Sequence, residues 1–392
     1  MLRVAVAAGV LAGVLGWAGT AQAGTVLKVD GGKARVTHDR LVPPAWKTRL
    51  PAVRQQTRRL APRPLARAAA LPWTQQRDVD AALAEARAAR DALPPGPARD
   101  ELAGVIANVE ALSSSGQLTP SRVAATLMIL RRNTEFWRVN QPPAPGTRLV
   151  FAGSPVLLEY YRGEGLQIQP LATFGKANAA WSSCRSRGDA SCPTLRALLD
   201  AMIALAADRG TFKAWEYYFD FEGGVPPWTS GMSQGTAIQA LARAYDLTGE
   251  TRYRDAAAAA IGAFQTAPPT GVAVPGPGGG THYLMYSYAP QLFIFNGFLQ
   301  SLIGLDVYRD LTGDTRASAL YQAGYGNAKV IVPQSDTGSW SLYSLGGPES
   351  TVEYHTLLRD FLETLCRRRG NAVYCDTAAR FTAYLDRAAA AG

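Results

Sequence analysis

The 392-residue sequence predicts a mostly α protein: an α/α toroid, complete or partial, built from repeated helix pairs, with a smaller N-terminal helical region and a few short strands. Three observations carry this expectation. Apolar residues recur at helical spacing through most of the chain, as at Ile238, Leu241 and Tyr245, and again at Phe298, Leu302 and Leu305. A motif repeats: Tyr245-Asp-Leu-Thr-Gly-Glu-Thr-Arg-Tyr253 is matched by Tyr308-Arg-Asp-Leu-Thr-Gly-Asp-Thr-Arg316, with the two Thr-Gly pairs 64 residues apart. Each Thr-Gly stands between two helical segments, where the glycine closes one helix and an acidic residue leads the next. Arg369-Gly370-Asn371 is a degenerate third copy. Helix pairs recurring at a fixed period argue for a toroid.

Taken in order, residues 1–23 read as a secretory signal peptide. Arg3 gives a positive start, Val4 to Ala18 is apolar, and Ala21-Gln22-Ala23 is a small-residue cleavage site. The apolar run is short for a membrane span, which favours cleavage over an anchor. No later stretch is long and apolar enough to cross a membrane. Residues 24–75 form a basic lead-in rich in Pro, Arg and Ala, with no sustained period, and are read as extended or poorly ordered. The charge is concentrated here. Residues 1–75 hold 12 Lys/Arg against 2 Asp/Glu, whereas the remainder holds 28 against 29. The formal charge of +9 therefore belongs to the leading arm, and the body is near neutral. Such an arm is a solvated linker or a grip on an acidic polymer or membrane surface. Basic and aromatic residues do not interleave, so nucleic acid is not expected as a partner.

Residues 76–148 read as an N-terminal helical region. Ala81 to Leu93 has high helix propensity and stops at Pro94-Pro95-Gly96. A second helix runs from about Ala98, with Ile106, Val109 and Leu112 on one face, and ends in Ser113 to Gly116. Thr119-Pro120 opens a third toward Arg132. Phe136-Trp137 and Gln141-Pro142-Pro143 then break the pattern, and Leu149-Val150-Phe151 and Val156-Leu157-Leu158 read as short strands. Residues 149–392 are assigned to the toroid. Leu195, Leu198, Leu199, Met202 and Leu205 mark a helix stopped at Gly210. Phe219 to Tyr245 passes Gly223-Gly224 and Pro226-Pro227-Trp228 before entering a helix, the kind of rigid loop that lies over a site. Pro275 to Gly280 is a flexible glycine loop without the strand-then-helix context of a dinucleotide site. The four cysteines allow three pairings; their spacings suggest two local bridges, Cys184–Cys192 and Cys366–Cys375. Zinc is disfavoured, because CxxC spacing is absent and no His lies near in sequence.

The segment FDFEGGVPPWTSGMSQGTAIQALARAYDLTGE resembles the C-terminal domain of the D-glucuronyl C5-epimerase family. The resemblance continues in family order through FNGFLQSLIGLDVYRDLTGD, DTGSWSLY and EYHTLL, and reaches upstream to LQIQPLATFGKAN, covering residues 150–390 or so. It implies the same toroid, and a dimer. It also implies a uronyl C5-epimerase acting on an anionic, heparosan-like polysaccharide without a cofactor. Removing the hydrogen at C5 creates a carbanion beside a carboxylate, so one group takes a proton from one face, another returns one to the opposite face, and the carboxylate needs a partner. Tyrosine can do either job when its pKa is tuned.

Aligned through Asn296-Gly297-Phe298, the resemblance puts catalytic tyrosines at Tyr286, Tyr343 and Tyr354, with Tyr286 and Tyr354 as the acid/base pair. Trp228, Asn296, Lys176 and His355 are the expected substrate-binding residues. His355 alternatively orients Tyr354, or is a buried structural histidine. The chain departs from the family at Met285 (Glu in the family), Ser287 (Pro) and Gly346 (Arg). Lys176, Arg162 or His355 are then candidate partners for the carboxylate. Two further readings stay open. A polysaccharide lyase on this fold would abstract the same proton, and a glycan-binding protein would keep the aromatic cleft without turnover.

Overall fold

A computed structural model describes residues 24–43 and 71–391. The expected signal peptide, and residues 44–70 of the basic lead-in, lie outside the described residues.

The start of the lead-in is not unstructured. β1 (Gly24–Asp30) and β2 (Lys33–Asp39) form an antiparallel hairpin whose two turn residues, Gly31 and Gly32, have φ of +53° and +78°. A two-residue hairpin turn needs positive φ at these positions, and glycine supplies it without steric cost. β1 also pairs in parallel with β3 (Arg148–Phe151), Leu27 opposite Leu149. That partner lies more than a hundred residues away, so local periodicity cannot reveal it. β2 is an edge strand, and its Lys and Arg are what edges carry to discourage further pairing.

α1 (Trp73–Ala92), α2 (Pro97–Ser114) and α3 (Val123–Trp137) come next, the last entered through a 3₁₀ turn at Pro120–Arg122. Phe136 and Trp137 do not break this helix; they close it inside the core, 1% and 0% exposed. Asn133 explains why. It accepts from Trp137 Nε1 at 2.8 Å and bonds both the N–H and the carbonyl of Leu166. This stitches α3 to β5 (Gly165–Ile168), the strand the sequence pattern missed beside β4 (Leu157–Tyr161). The completed sheet runs β2-β1-β3-β4-β5.

Helices then dominate. α4 (Pro170–Ser186) and α5 (Pro193–Ala204) are joined by the Cys184–Cys192 disulfide. Four two-residue strands, β6 (Ala207–Asp208), β7 (Lys213–Ala214), β8 (Glu216–Tyr217) and β9 (Trp228–Thr229), lead to α6 (Gly231–Thr248) and α7 (Thr251–Ala260). β10 (Ala273–Pro275) and β11 (Thr281–Tyr283) form a hairpin whose turn is the glycine run, closed by Gly276 N–H to Gly280 O at 3.0 Å. That run is therefore the turn of a hairpin. α8 (Phe295–Thr312), α9 (Thr315–Ile331), α10 (Val352–Arg369) and α11 (Ala372–Ala391) complete the chain, with Cys366–Cys375 bridging the last pair.

Each of α4, α6, α8 and α10 packs on the helix next in sequence; α6 also lies against α4 and α8, and α10 against α8. The Thr-Gly motif works as its chemistry requires. Gly249 and Gly313 sit at φ +71° and cap their helices through Tyr245 O and Arg309 O, and Gly370 does the same for α10 at φ +65°. α6 and α8 touch through small residues. A Cβ at Gly304 would lie 2.2 Å from the Gly235 carbonyl oxygen, so only glycine permits this approach.

One buried ionic network ties the N-terminal helices to the short strands and loops ahead of α6. Glu216 accepts from Arg122 Nε (2.7 Å) and a terminal nitrogen (2.8 Å), and from Arg209 Nε (2.6 Å). Arg209 also donates to the carbonyls of Pro227, Pro269 and Thr270. Two arginines hold the Glu216 carboxyl below its usual range even though burial, the largest influence, pushes it up.

Candidate active site

The segments that precede α6, α8 and α10 meet in an aromatic cluster. Tyr217, Phe219, Trp228, Tyr286, Tyr288 and Tyr343 are buried in it, and Tyr161, Phe221, Met285 and Tyr354 pack against it. Trp228 anchors the group. It stacks on Tyr217 with centroids 4.1 Å apart and planes within 6°, and its indole N–H donates to Phe219 O at 2.9 Å. Tyr286 lies 5.7 Å from Trp228 and 5.4 Å from Tyr288, and Tyr343 meets Tyr354 edge-on at 5.0 Å. The three tyrosines singled out by resemblance, and Trp228, are thus brought together.

Backbone stitching fixes each phenol. The Tyr286 segment is held to the start of α6: Gly231 N–H donates to Leu284 O (2.9 Å), Ser287 N–H to Thr229 O (3.0 Å), and Thr229 N–H to Ser287 Oγ (3.1 Å). Proline at 287 would have neither that N–H nor that hydroxyl, so Ser287 carries local structure here. Tyr343 donates its N–H to Pro348 O and accepts from Phe295 N–H, which binds its loop to the first turn of α8. Tyr354 lies in the first turn of α10, where Thr351 caps the helix by accepting from Tyr354 N–H.

Burial dominates the electrostatics. It pushes the Tyr286 and Tyr343 phenols well above their ordinary range and Tyr354 to about 12. Neighbouring phenols and the Glu222 carboxylate raise Tyr286 and Tyr343 further; Glu159, Glu353 and Glu222 raise Tyr354. Tyr286 opposes part of this at Tyr343, which it approaches closely without a well-aligned hydrogen bond. At neutral pH all three are therefore phenols, poised to donate protons rather than accept them. The described residues hold no group of His, Cys, Asp and Glu able to bind a metal ion.

Other expected site residues fare differently. His355 is fully buried, its ring stacked 3.9 Å from Trp340, with Nδ1 against Ser341 Oγ (2.8 Å) and Nε2 against Phe381 O (3.1 Å). Both ring nitrogens are therefore engaged within the protein, as the buried structural reading of this residue expects. Lys176 pairs with Asp39 of β2 at 2.8 Å, which ties α4 to the hairpin. Asn296 sits in the first turn of α8, 2% exposed, with both amide atoms lacking a hydrogen-bond partner among the described residues. Gly346 has φ of +68°, a conformation in which the family's arginine would be strained. Sequence reasoning missed Tyr161, Tyr217, Phe219 and Phe221 as cluster members. The alternating aromatics of residues 217–221 were the available signal.

Residues 209–383 match the family described as D-glucuronyl C5-epimerase C-terminus. An uncharacterized protein of Methanocaldococcus jannaschii is 28% identical over 178 residues, 42% of this chain and 55% of that protein. A D-glucuronyl C5-epimerase of Caenorhabditis elegans is 34% identical over 132 residues, 31% of this chain and 21% of that protein. The chain thus spans about half the length of the first relative and about a fifth of the second.

Proposed function

Residues 209–383 carry the D-glucuronyl C5-epimerase C-terminal pattern, and from that premise we propose that the protein is an exported uronyl C5-epimerase acting on an anionic, heparosan-like polysaccharide. The observation that carries the reading is the meeting of Tyr286, Tyr343 and Tyr354, from three separate segments, around the Trp228 platform. Stacked aromatics suit a sugar face, and neutral phenols in a desolvated site suit proton delivery to a carbanion. The helix pairs α4–α5, α6–α7, α8–α9 and α10–α11 are read as a partial α/α toroid with the site at the N-terminal ends of α4, α6, α8 and α10. Those helix ends carry partial positive charge, which favours the uronate carboxylate. The unpaired Asn296 amide is read as a hydrogen-bond donor to the same unit. Neither a metal nor an organic cofactor enters this chemistry. A homodimer is part of the same proposal.

The test is exchange at C5. Purified protein in deuterated water with a heparosan-type polymer is expected to incorporate deuterium, and Tyr286→Phe and Tyr354→Phe are expected to lose about 10²–10⁴-fold of that rate while remaining folded. Full exchange in both variants would refute the assignment.

A second reading, a glycan-binding protein without turnover, is favoured by one observation: Met285 and Gly346 replace the acid and the cation of the family. The buried, doubly engaged His355 speaks against a lyase that uses it as base.

A further inference from the structure

An epimerase needs a proton acceptor as well as a donor, and the clustered phenols supply only donors. We propose that Glu222 is the general base of this site, taking the C5 proton while a tyrosine of the cluster returns one to the opposite face; this rests on the epimerase reading of the site.

Glu222 stands at the apex of the turn Asp220–Gly224, closed by Gly223 N–H to Asp220 Oδ1 (2.8 Å) and Gly224 N–H to Phe221 O (2.9 Å). Its φ is +51°; among the described residues only it and the disulfide-bound Cys192 are non-glycines at positive φ. Such a conformation is strained for a residue with a side chain and persists where the surroundings impose it, typically at functional positions. The surroundings here are the aromatic cluster. The Phe221 ring lies 5.8 Å from Tyr286 and 6.0 Å from Trp228. Gly224 faces Tyr288 so closely that a Cβ would stand 2.3 Å from the ring. Residues on both sides of Glu222 therefore pin the turn over the phenols, and its carboxylate acts electrostatically on Tyr286, Tyr343 and Tyr354 alike. The residue itself is solvent-exposed, so an incoming polymer can reach it.

The neighbouring carboxylates are placed differently. Glu159 on β4 is paired with Arg148 at 3.2 Å. Asp220 accepts the turn's own N–H. Glu353 acts on Tyr354 from the first turn of α10. Met285 supplies no acid. The step balances without an oxidant or reductant. The C5–H bond breaks, its proton goes to a Glu222 oxygen, and its electron pair delocalises into the uronate carboxylate. A phenol O–H then breaks and the new C5–H forms on the other face. Proton transfer from Glu222 to the phenolate through solvent resets the site.

The test compares wild type, Glu222→Gln and Glu222→Asp for deuterium incorporation at C5 of a heparosan-type polymer between pH 4 and 9. Groups facing the turn that also titrate or carry charge are Tyr286, Tyr288, Tyr343, Tyr354, Glu353, Glu159, Tyr161 and Asp220; phenolate absorbance of each variant separates their contribution. Glu222→Gln is expected to lose about 10²–10⁴-fold of the rate together with the acid limb of the profile, Glu222→Asp to recover part of it, and the cluster phenols of Glu222→Gln to ionise at lower pH. Wild-type exchange with Glu222→Gln within about threefold and the acid limb unchanged would overturn this assignment and leave the epimerase reading intact. No exchange by wild type on any uronate polymer would remove both. An unshifted phenol titration in Glu222→Gln would overturn the placement of its charge against the cluster.

Discussion

Glu216→Gln is the most informative structural perturbation, because Glu216 joins the N-terminal helices to the loop that carries Trp228. The glutamate is 3% exposed and accepts three charge-assisted hydrogen bonds from Arg122 and Arg209, themselves 2% and 5% exposed. Glutamine removes the carboxylate that pairs with both arginines and turns an NH₂ toward a guanidinium. Arg122 keeps Gln117 O, and Arg209 keeps the Pro227, Pro269 and Thr270 carbonyls, so part of the loss is offset. Breaking one partner of a buried pair costs about 3–5 kcal/mol, and these residual bonds place the expectation near the lower end, at about 3 kcal/mol. Urea unfolding followed by tryptophan fluorescence measures this directly. The pH dependence comes from the sign of the shift. The folded Glu216 pKa lies below its ordinary 4.5, so the stabilisation is complete above that value and is lost as pH falls through the lower folded pKa. Glu216→Gln should remove that part of the acid sensitivity. A variant within about 1 kcal/mol of wild type would refute the view that this network anchors the site.

Three other outcomes are expected. Gly346→Arg, which restores the family residue, should cost about 1–2 kcal/mol from its φ of +68° and should not raise activity, as melting and exchange assays would show. Replacing Cys366 and Cys375 by serine opens a loop of sequence separation 9 and should cost about 2.5 kcal/mol by loop-closure entropy, read from urea midpoints. Glu222→Gly relieves the positive φ and should gain up to about 1 kcal/mol of stability while abolishing C5 exchange; equal loss of both would argue against a strained functional residue.

Much of the helical framework was legible because its signals are local. Thr248-Gly249 and Thr312-Gly313 end helices by backbone geometry, and closely spaced cysteines meet across short loops. The rest depends on partners distant in sequence. β1 has its meaning only beside β3, so Gly24–Asp39 reads locally as an unpatterned basic arm. Phe136-Trp137 looks like a helix breaker until Asn133 and β5 enclose it. His355, beside Tyr354 in sequence, points instead into Trp340 and Phe381, because successive helical residues lie about 100° apart. Lys176 meets Asp39 for the same tertiary reason. The tyrosines were found through resemblance, and nothing in their spacing announces that two loops and the first turn of α10 converge.

The decisive measurement takes wild-type protein with a heparosan-type polymer in deuterated water and follows deuterium at C5 and unsaturated-uronate absorbance in the same sample. Deuterium at C5 without unsaturation is the expected result. Unsaturation would make the protein a lyase, and polymer binding with neither signal would make it a glycan-binding protein whose tyrosine cluster no longer moves protons.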